Sequence, residues 1–76
     1  MNVKDVRVIR KGKDRISHKT EKFSIRVYSE AENERKVYFD FYETASAKVA
    51  KMVYVQIIAA LRMEFDAAKA YSVVKE

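Results

Sequence analysis

The spacing of apolar residues changes once along this chain, close to Glu43. Before that position apolar residues recur at every second residue, which is the period of a half-buried β-strand. After it they recur at the period of an amphipathic helix. Strands are therefore expected first and a helix last. Because 76 residues bury only one modest core, we assign residues 1–76 to a single domain.

Three runs of alternating apolar residues precede the change, at about residues 3–10, 22–29 and 36–42. β-branched and aromatic residues dominate them, as is typical of strands. In the first run Val6 and Val8 share one face. The later runs are expected to present to the core Phe23, Ile25, Val27, Val37, Phe39 and Phe41. The polar residues 29–35 predict a hairpin loop, and a long basic loop spans 11–21.

From Thr44 onward the chain contains no Gly or Pro and is rich in Ala, which favours a helix. We predict one helix over about residues 45–72, roughly 40 Å long, with Thr44 or Ser46 as its cap. The sequence thus predicts an α+β fold in which a three-stranded antiparallel sheet (β-β-β) is packed on one face by a long C-terminal helix.

The basic loop and its flanks are the first candidate binding site. Residues 10–22 contain six cations and two carboxylates, a net charge of +4 out of the chain's +5. Such a segment contacts nucleic-acid phosphates with salt-dependent affinity. The alternative is a solvated loop whose charge maintains solubility. The predicted contacts are Arg10, Lys11, Lys13, Arg15, Lys19 and Lys22.

The sheet face turned away from the helix is the second candidate. Alternation predicts that this face carries arginines beside tyrosines, which can stack on bases and bind a sugar–phosphate backbone. The alternative is that tyrosine is present because it favours strands and packs against arginine. The predicted members are Arg7, Arg26, Tyr28, Tyr38 and Tyr42.

A second, weaker apolar strip runs along the predicted helix, beside the face that covers the sheet. Small and flexible residues of this kind suit close approach by another helix, from a partner or a second copy. The alternative is that they lie at the edge of the core. The predicted interface residues are Met52, Ala59, Met63 and Ala70.

Catalytic and metal sites are poorly supported. The chain has no Cys, and its one His, His18, lies in the basic loop without an orienting carboxylate. We therefore expect no enzyme activity, metal or cofactor. No apolar run is long enough to span a bilayer, and the charged residues 1–13 lack the apolar segment that a signal peptide is expected to have. These features predict a cytoplasmic protein without membrane binding, although the missing cysteines fit an oxidising compartment equally well.

Three hypotheses of function follow. The leading one is a small, non-enzymatic nucleic-acid-binding protein that uses the basic loop and the Arg/Tyr face. The alternative is a protein-interaction module, such as a small inhibitor or regulator, that docks a partner through the long helix or the sheet edge. A third is an assembly protein that builds an oligomer.

Overall fold

A computed structural model of the protein describes residues 2–12, 22–30, 36–71 and 74–75. Most of the basic loop and the predicted hairpin loop lie outside the described residues. The elements, in chain order, are β1 (Val3–Lys11), β2 (Lys22–Glu30), β3 (Lys36–Thr44), α1 (Ala47–Ala60), α2 (Ala67–Tyr71) and β4 (Val74–Lys75).

The sheet has the strand order β3-β2-β1-β4. β1 and β3 both pair with β2 in the antiparallel sense, and β4 adds a short parallel pairing with β1 at Ile9 and Arg10. The predicted three-stranded antiparallel sheet packed by a helix is confirmed. β4 was not predicted, because two residues are too few to show a strand period.

The core lies between α1 and one face of β1 and β2. Val6 and Val8 of β1 are buried there beside Ile25 of β2, which is the face that the alternation predicted. From α1, one side chain per turn completes the core: Ala50, Tyr54 and Ile58. These three are four residues apart, so they form a single stripe along the helix.

The C-terminal half differs from the prediction, because two helices, α1 and α2, replace the single helix predicted over residues 45–72. α1 has 14 residues, about 21 Å at 1.5 Å per residue. It begins after Ser46, whose hydroxyl accepts a hydrogen bond from the Val49 backbone N–H at 3.2 Å. Ser46 is thus the N-cap, one of the two predicted candidates.

α1 ends in a Schellman motif. The Arg62 N–H donates to the Ala59 carbonyl at 3.1 Å, and the Met63 N–H donates to the Ile58 carbonyl at 2.9 Å. This geometry requires a left-handed backbone, and Arg62 has φ 56°. Glycine usually occupies that position. Because this position is an arginine, the sequence does not indicate that a helix ends here.

A new cap starts the second helix. The Asp66 carboxylate accepts hydrogen bonds from the backbone N–H of Ala68 at 3.0 Å and of Lys69 at 3.4 Å. Asp66 therefore caps α2, whose residue Ala70 reaches the core.

β3 is the element that departs furthest from expectation. Among the described residues, the core contains side chains of β1, β2, α1 and α2 but none of β3. Val37, Phe39 and Phe41, which were expected in the core, are exposed. The prediction failed because β3 is the edge strand and the core stripe of α1 packs against β1 and β2.

A β-bulge also changes which way β3 side chains face. Arg26 pairs with Asp40 and Ile25 pairs with Tyr42, so Phe41 is an extra residue between the two pairs. Beyond the bulge the alternation reverses. Tyr42 therefore lies on the face of Ile25, towards the helix, and not on the outer face as predicted.

Candidate functional site

The outer face of the sheet brings four of the predicted binding residues together. The Arg7 guanidinium lies 5.3 Å from the centre of the Tyr28 ring, and the Arg26 guanidinium lies 4.0 Å from the centre of the Tyr38 ring. The two rings are 5.7 Å apart and tilted by 52°. We call these four residues the Arg–Tyr face. Its arginines already contact aromatic rings of the protein itself.

Arg26 is also part of a charged network that crosses three strands. Its Nε donates to Asp40 Oδ1 at 2.8 Å, while Lys11 Nζ donates to Asp40 Oδ2 at 3.0 Å and to Glu43 Oε1 at 2.9 Å. The Arg26 side chain is only 7% exposed. The hydrogen bonds from Arg26, and then from Lys11, lower the pKa of Asp40 to about 2. The network therefore carries two positive and two negative charges at neutral pH.

Arg7 belongs to a second group, in a cleft of about 440 Å³ lined by Lys4, Asp5, Arg7, Tyr28 and Lys69. Asp5 accepts hydrogen bonds from Arg7 Nε at 2.7 Å and from Lys69 Nζ at 2.6 Å. Burial raises the pKa of Asp5, but these hydrogen bonds outweigh it, and the pKa is lowered. Three cations and one carboxylate line this cleft, so it remains positively charged.

Sequence reasoning missed Lys4 and Lys69 as members of this cleft. Lys69 lies 64 positions from Asp5 and reaches it only because α2 folds back against β1. A pair so distant in sequence cannot be predicted from a local sequence pattern. Of the other predicted cations, Arg10 is half-buried and Lys22 is exposed at the start of β2. Lys13, Arg15 and Lys19 lie outside the described residues, so their role stays a prediction.

The four residues predicted to form a helical interface do not share one surface. Met52 is 53% exposed and Ala59 is exposed on α1. Met63 packs against the core, and Ala70 is only 4% exposed within it. The strip is interrupted because the chain turns at Arg62 and starts a second helix.

β3 carries five of the nine large hydrophobic residues that are exposed in the described part of the chain. Five of its side chains are between 40% and 59% exposed. We call them the aromatic edge: Val37, Tyr38, Phe39, Phe41 and Tyr42. An aromatic side chain has a surface of roughly 200 Å². Because the four aromatic side chains are about half-exposed, together they expose about 400 Å².

The backbone of β3 is open as well. Within the described part of the chain, β2 lies on one side of β3 and no strand lies on the other. An edge strand leaves a row of N–H and C=O groups unpaired by any ladder, which is a template for a further strand. Three of the aromatic-edge residues had been assigned to the core, so sequence reasoning missed this surface. Only the bulge and the short helix reveal it.

No family model, curated protein or solved structure matches this chain. None of the helices in the described ranges is long and apolar enough to cross a membrane. Those same ranges contain no cluster of three His, Asp or Glu side chains that could hold a metal ion.

Proposed function

We propose that the protein is a non-enzymatic protein-interaction module that binds an extended polypeptide at the aromatic edge. The observation that carries the proposal is a nine-residue edge strand with exposed apolar side chains. In this mode of recognition an added strand pairs with the open backbone and supplies affinity. Side chains on the two faces then determine which sequences fit.

The charged network supports this function by holding the edge strand in place. Asp40 is the only charged residue in the middle of β3, and it is bonded to Arg26 of β2 and to Lys11 of β1. A strand that is already ordered loses little conformational entropy when a partner binds. The network thus makes β3 a preorganised template rather than a frayed edge.

The amount of apolar surface fits a reversible interaction. Covering about 400 Å² at about 25 cal/mol per Å² contributes roughly 10 kcal/mol before the costs of association. Those costs are of similar size, about 4–15 kcal/mol. The partner's own apolar side chains and the new backbone hydrogen bonds supply the surplus. We therefore expect affinity in the micromolar range.

Capture from a nuclease-treated lysate of the source organism tests the proposal. The wild-type chain is compared with Phe41→Lys, which places a charge on the aromatic edge. The matched control is Met52→Lys, which places the same charge on the exposed side of α1. We expect the wild type and the Met52 variant to retain the same partners and the Phe41 variant to lose them. Equal capture by all three chains would contradict binding at β3.

A second candidate, nucleic-acid binding, is supported by the positively charged cleft beside Tyr28. Its three cations could contact phosphate while the tyrosine ring contacts a base or sugar. Against it, the Arg–Tyr face and Lys11 are already engaged with carboxylates or rings of the protein. An external phosphate would have to compete with those contacts.

Titration with labelled single- and double-stranded oligonucleotides tests this second candidate. Binding through phosphate contacts falls steeply between about 50 and 200 mM salt. Lys69→Gln should weaken it, whereas Lys48→Gln, an exposed position on α1, should not. Absence of binding at about 50 mM salt, or binding that is indifferent to salt, would exclude this function.

A further inference from the structure

We infer that the aromatic edge binds the aromatic edge of a second copy of this chain, antiparallel, so that two sheets become one. This inference rests on the proposed function and names the partner. A twofold axis perpendicular to the sheet, through the middle of β3, makes the two edge strands antiparallel. The same operation keeps both α1 helices on the same face of the joined sheet.

The order of charges along β3 favours this symmetric partner. Lys36 begins the strand, Glu43 lies near its end, and the residues between them are apolar except Asp40. In an antiparallel pair the Lys36 end of one copy lies level with the Glu43 end of the other, on both sides of the axis. A parallel pair would instead place like charges beside each other, which is unfavourable.

Asp40 and Glu43, the two carboxylates of β3 in the charged network, do not make this pairing electrostatically unfavourable. Asp40 lies near the axis, but Arg26 and Lys11 already compensate its charge. Glu43 accepts one hydrogen bond from Lys11, and a carboxylate has room for a further donor from the partner. The apolar middle of the strand therefore meets its own equivalent without an uncompensated charge.

The exposed apolar area of β3 is close to the minimum that a specific dimer interface needs. The four rings and Val37 expose up to about 500 Å² per copy, so two copies bury up to about 1,000 Å². That is the lower bound for a specific protein interface. The pairing is therefore expected to depend on concentration. Because each copy carries a net charge of +5, salt should strengthen the dimer by screening repulsion. Phosphate binding responds to salt in the opposite direction.

Sedimentation of the full chain from about 5 to about 500 μM measures the association. We expect the wild type to shift from monomer to dimer over this range. Phe41→Lys should raise the dissociation constant at least tenfold, while Met52→Lys should leave it unchanged. Far-UV circular dichroism of both variants establishes that they are folded, since both substituted side chains are exposed.

Cross-linking tests the antiparallel arrangement, because the chain has no Cys of its own. Phe39→Cys, near the axis, should form a disulfide-linked dimer under mild oxidation. Val37→Cys should not, because the two copies of this residue are roughly 13–20 Å apart along the strands. Disulfides require Cα atoms within about 7 Å.

The outcomes separate this inference from the proposed function. A chain that stays monomeric at about 500 μM overturns self-pairing, and the capture experiment alone then judges strand addition at β3. Equal capture by wild type and Phe41→Lys would contradict strand addition whatever the oligomeric state. A dimer that Met52→Lys breaks and Phe41→Lys leaves intact would place the interface on α1 and overturn the inference.

Discussion

Replacing Asp40 by Asn should destabilise the protein by about 2 kcal/mol. The substitution preserves the shape of the side chain but removes the charge that Arg26 and Lys11 contact. Breaking a buried ion pair costs about 3–5 kcal/mol, whereas an exposed pair contributes about 0–1 kcal/mol. Here the Arg26 side chain is 7% exposed and that of Asp40 is 24% exposed, which places the pair between these limits.

Urea denaturation at pH 7 measures this effect. With a slope of roughly 1–1.5 kcal/mol per M for a chain of this size, the midpoint should fall by about 1.5 M. Glu43→Gln is the matched control, because Glu43 also accepts a hydrogen bond from Lys11 but is 43% exposed, compared with 24% for Asp40. Its cost should be about 0.5 kcal/mol. If the Asp40 variant lost no more stability than this control, the network would not hold β3 in place.

The pH dependence of unfolding gives an independent check on the same residue. The folded protein holds the pKa of Asp40 at about 2, below its ordinary value of 3.8. A lowered pKa stabilises the fold fully above about pH 5, and this stabilisation is lost as the pH falls through 3.8 towards 2. Asp5, whose pKa is also lowered, contributes in the same direction. Asp40→Asn should therefore lose less stability than the wild type between pH 5 and pH 2.

Three further substitutions test the fold itself, each by urea denaturation. Asp66→Ala removes the cap of α2 and should lower the free energy of unfolding by about 1 kcal/mol. Glu64→Ala, which removes a carboxylate that does not cap the helix, is the control, and an equal loss in both variants would contradict the cap. Arg62→Gly should stabilise by about 0.5–1 kcal/mol, since glycine adopts the left-handed backbone without strain, and a loss of stability would contradict the Schellman motif. Ile25→Ala should cost about 3 kcal/mol because it leaves a cavity at the centre of the core, and a cost below 1 kcal/mol would contradict its burial.

The strands were predictable because each is long and periodic. β2 alternates cleanly at Phe23, Ile25 and Val27 and β1 more weakly at Val6 and Val8, and both strands bury residues on the predicted face. The position of β3 at the edge was not predictable in this way. Phe39 and Phe41 have the same alternation as core residues, and only the bulge in β3 and the placement of α1 decide whether such residues are covered.

The division of the C-terminal segment into two helices and the identity of the ion pairs could not be predicted from local sequence patterns. The end of α1 depends on a positive φ at Arg62, a residue that gives no turn signal in sequence. The pairing of Lys69 with Asp5 depends on tertiary structure alone. Two arginines and two tyrosines share the outer face as predicted, whereas Tyr42 lies on the opposite face because of the bulge. The carboxylate partners of the arginines are Asp40, which bonds Arg26, and Asp5, which bonds Arg7.

Amide hydrogen exchange along β3 in a dilute sample, at about 5 μM, tests most directly whether this strand is an open edge. Where the chain is monomeric, amides of β3 that point towards β2 should be protected, and the alternate amides that point outward should exchange rapidly. Uniform protection of both sets in the dilute sample would mean that the strand is already covered within one chain. That result would contradict an aromatic edge available to a partner.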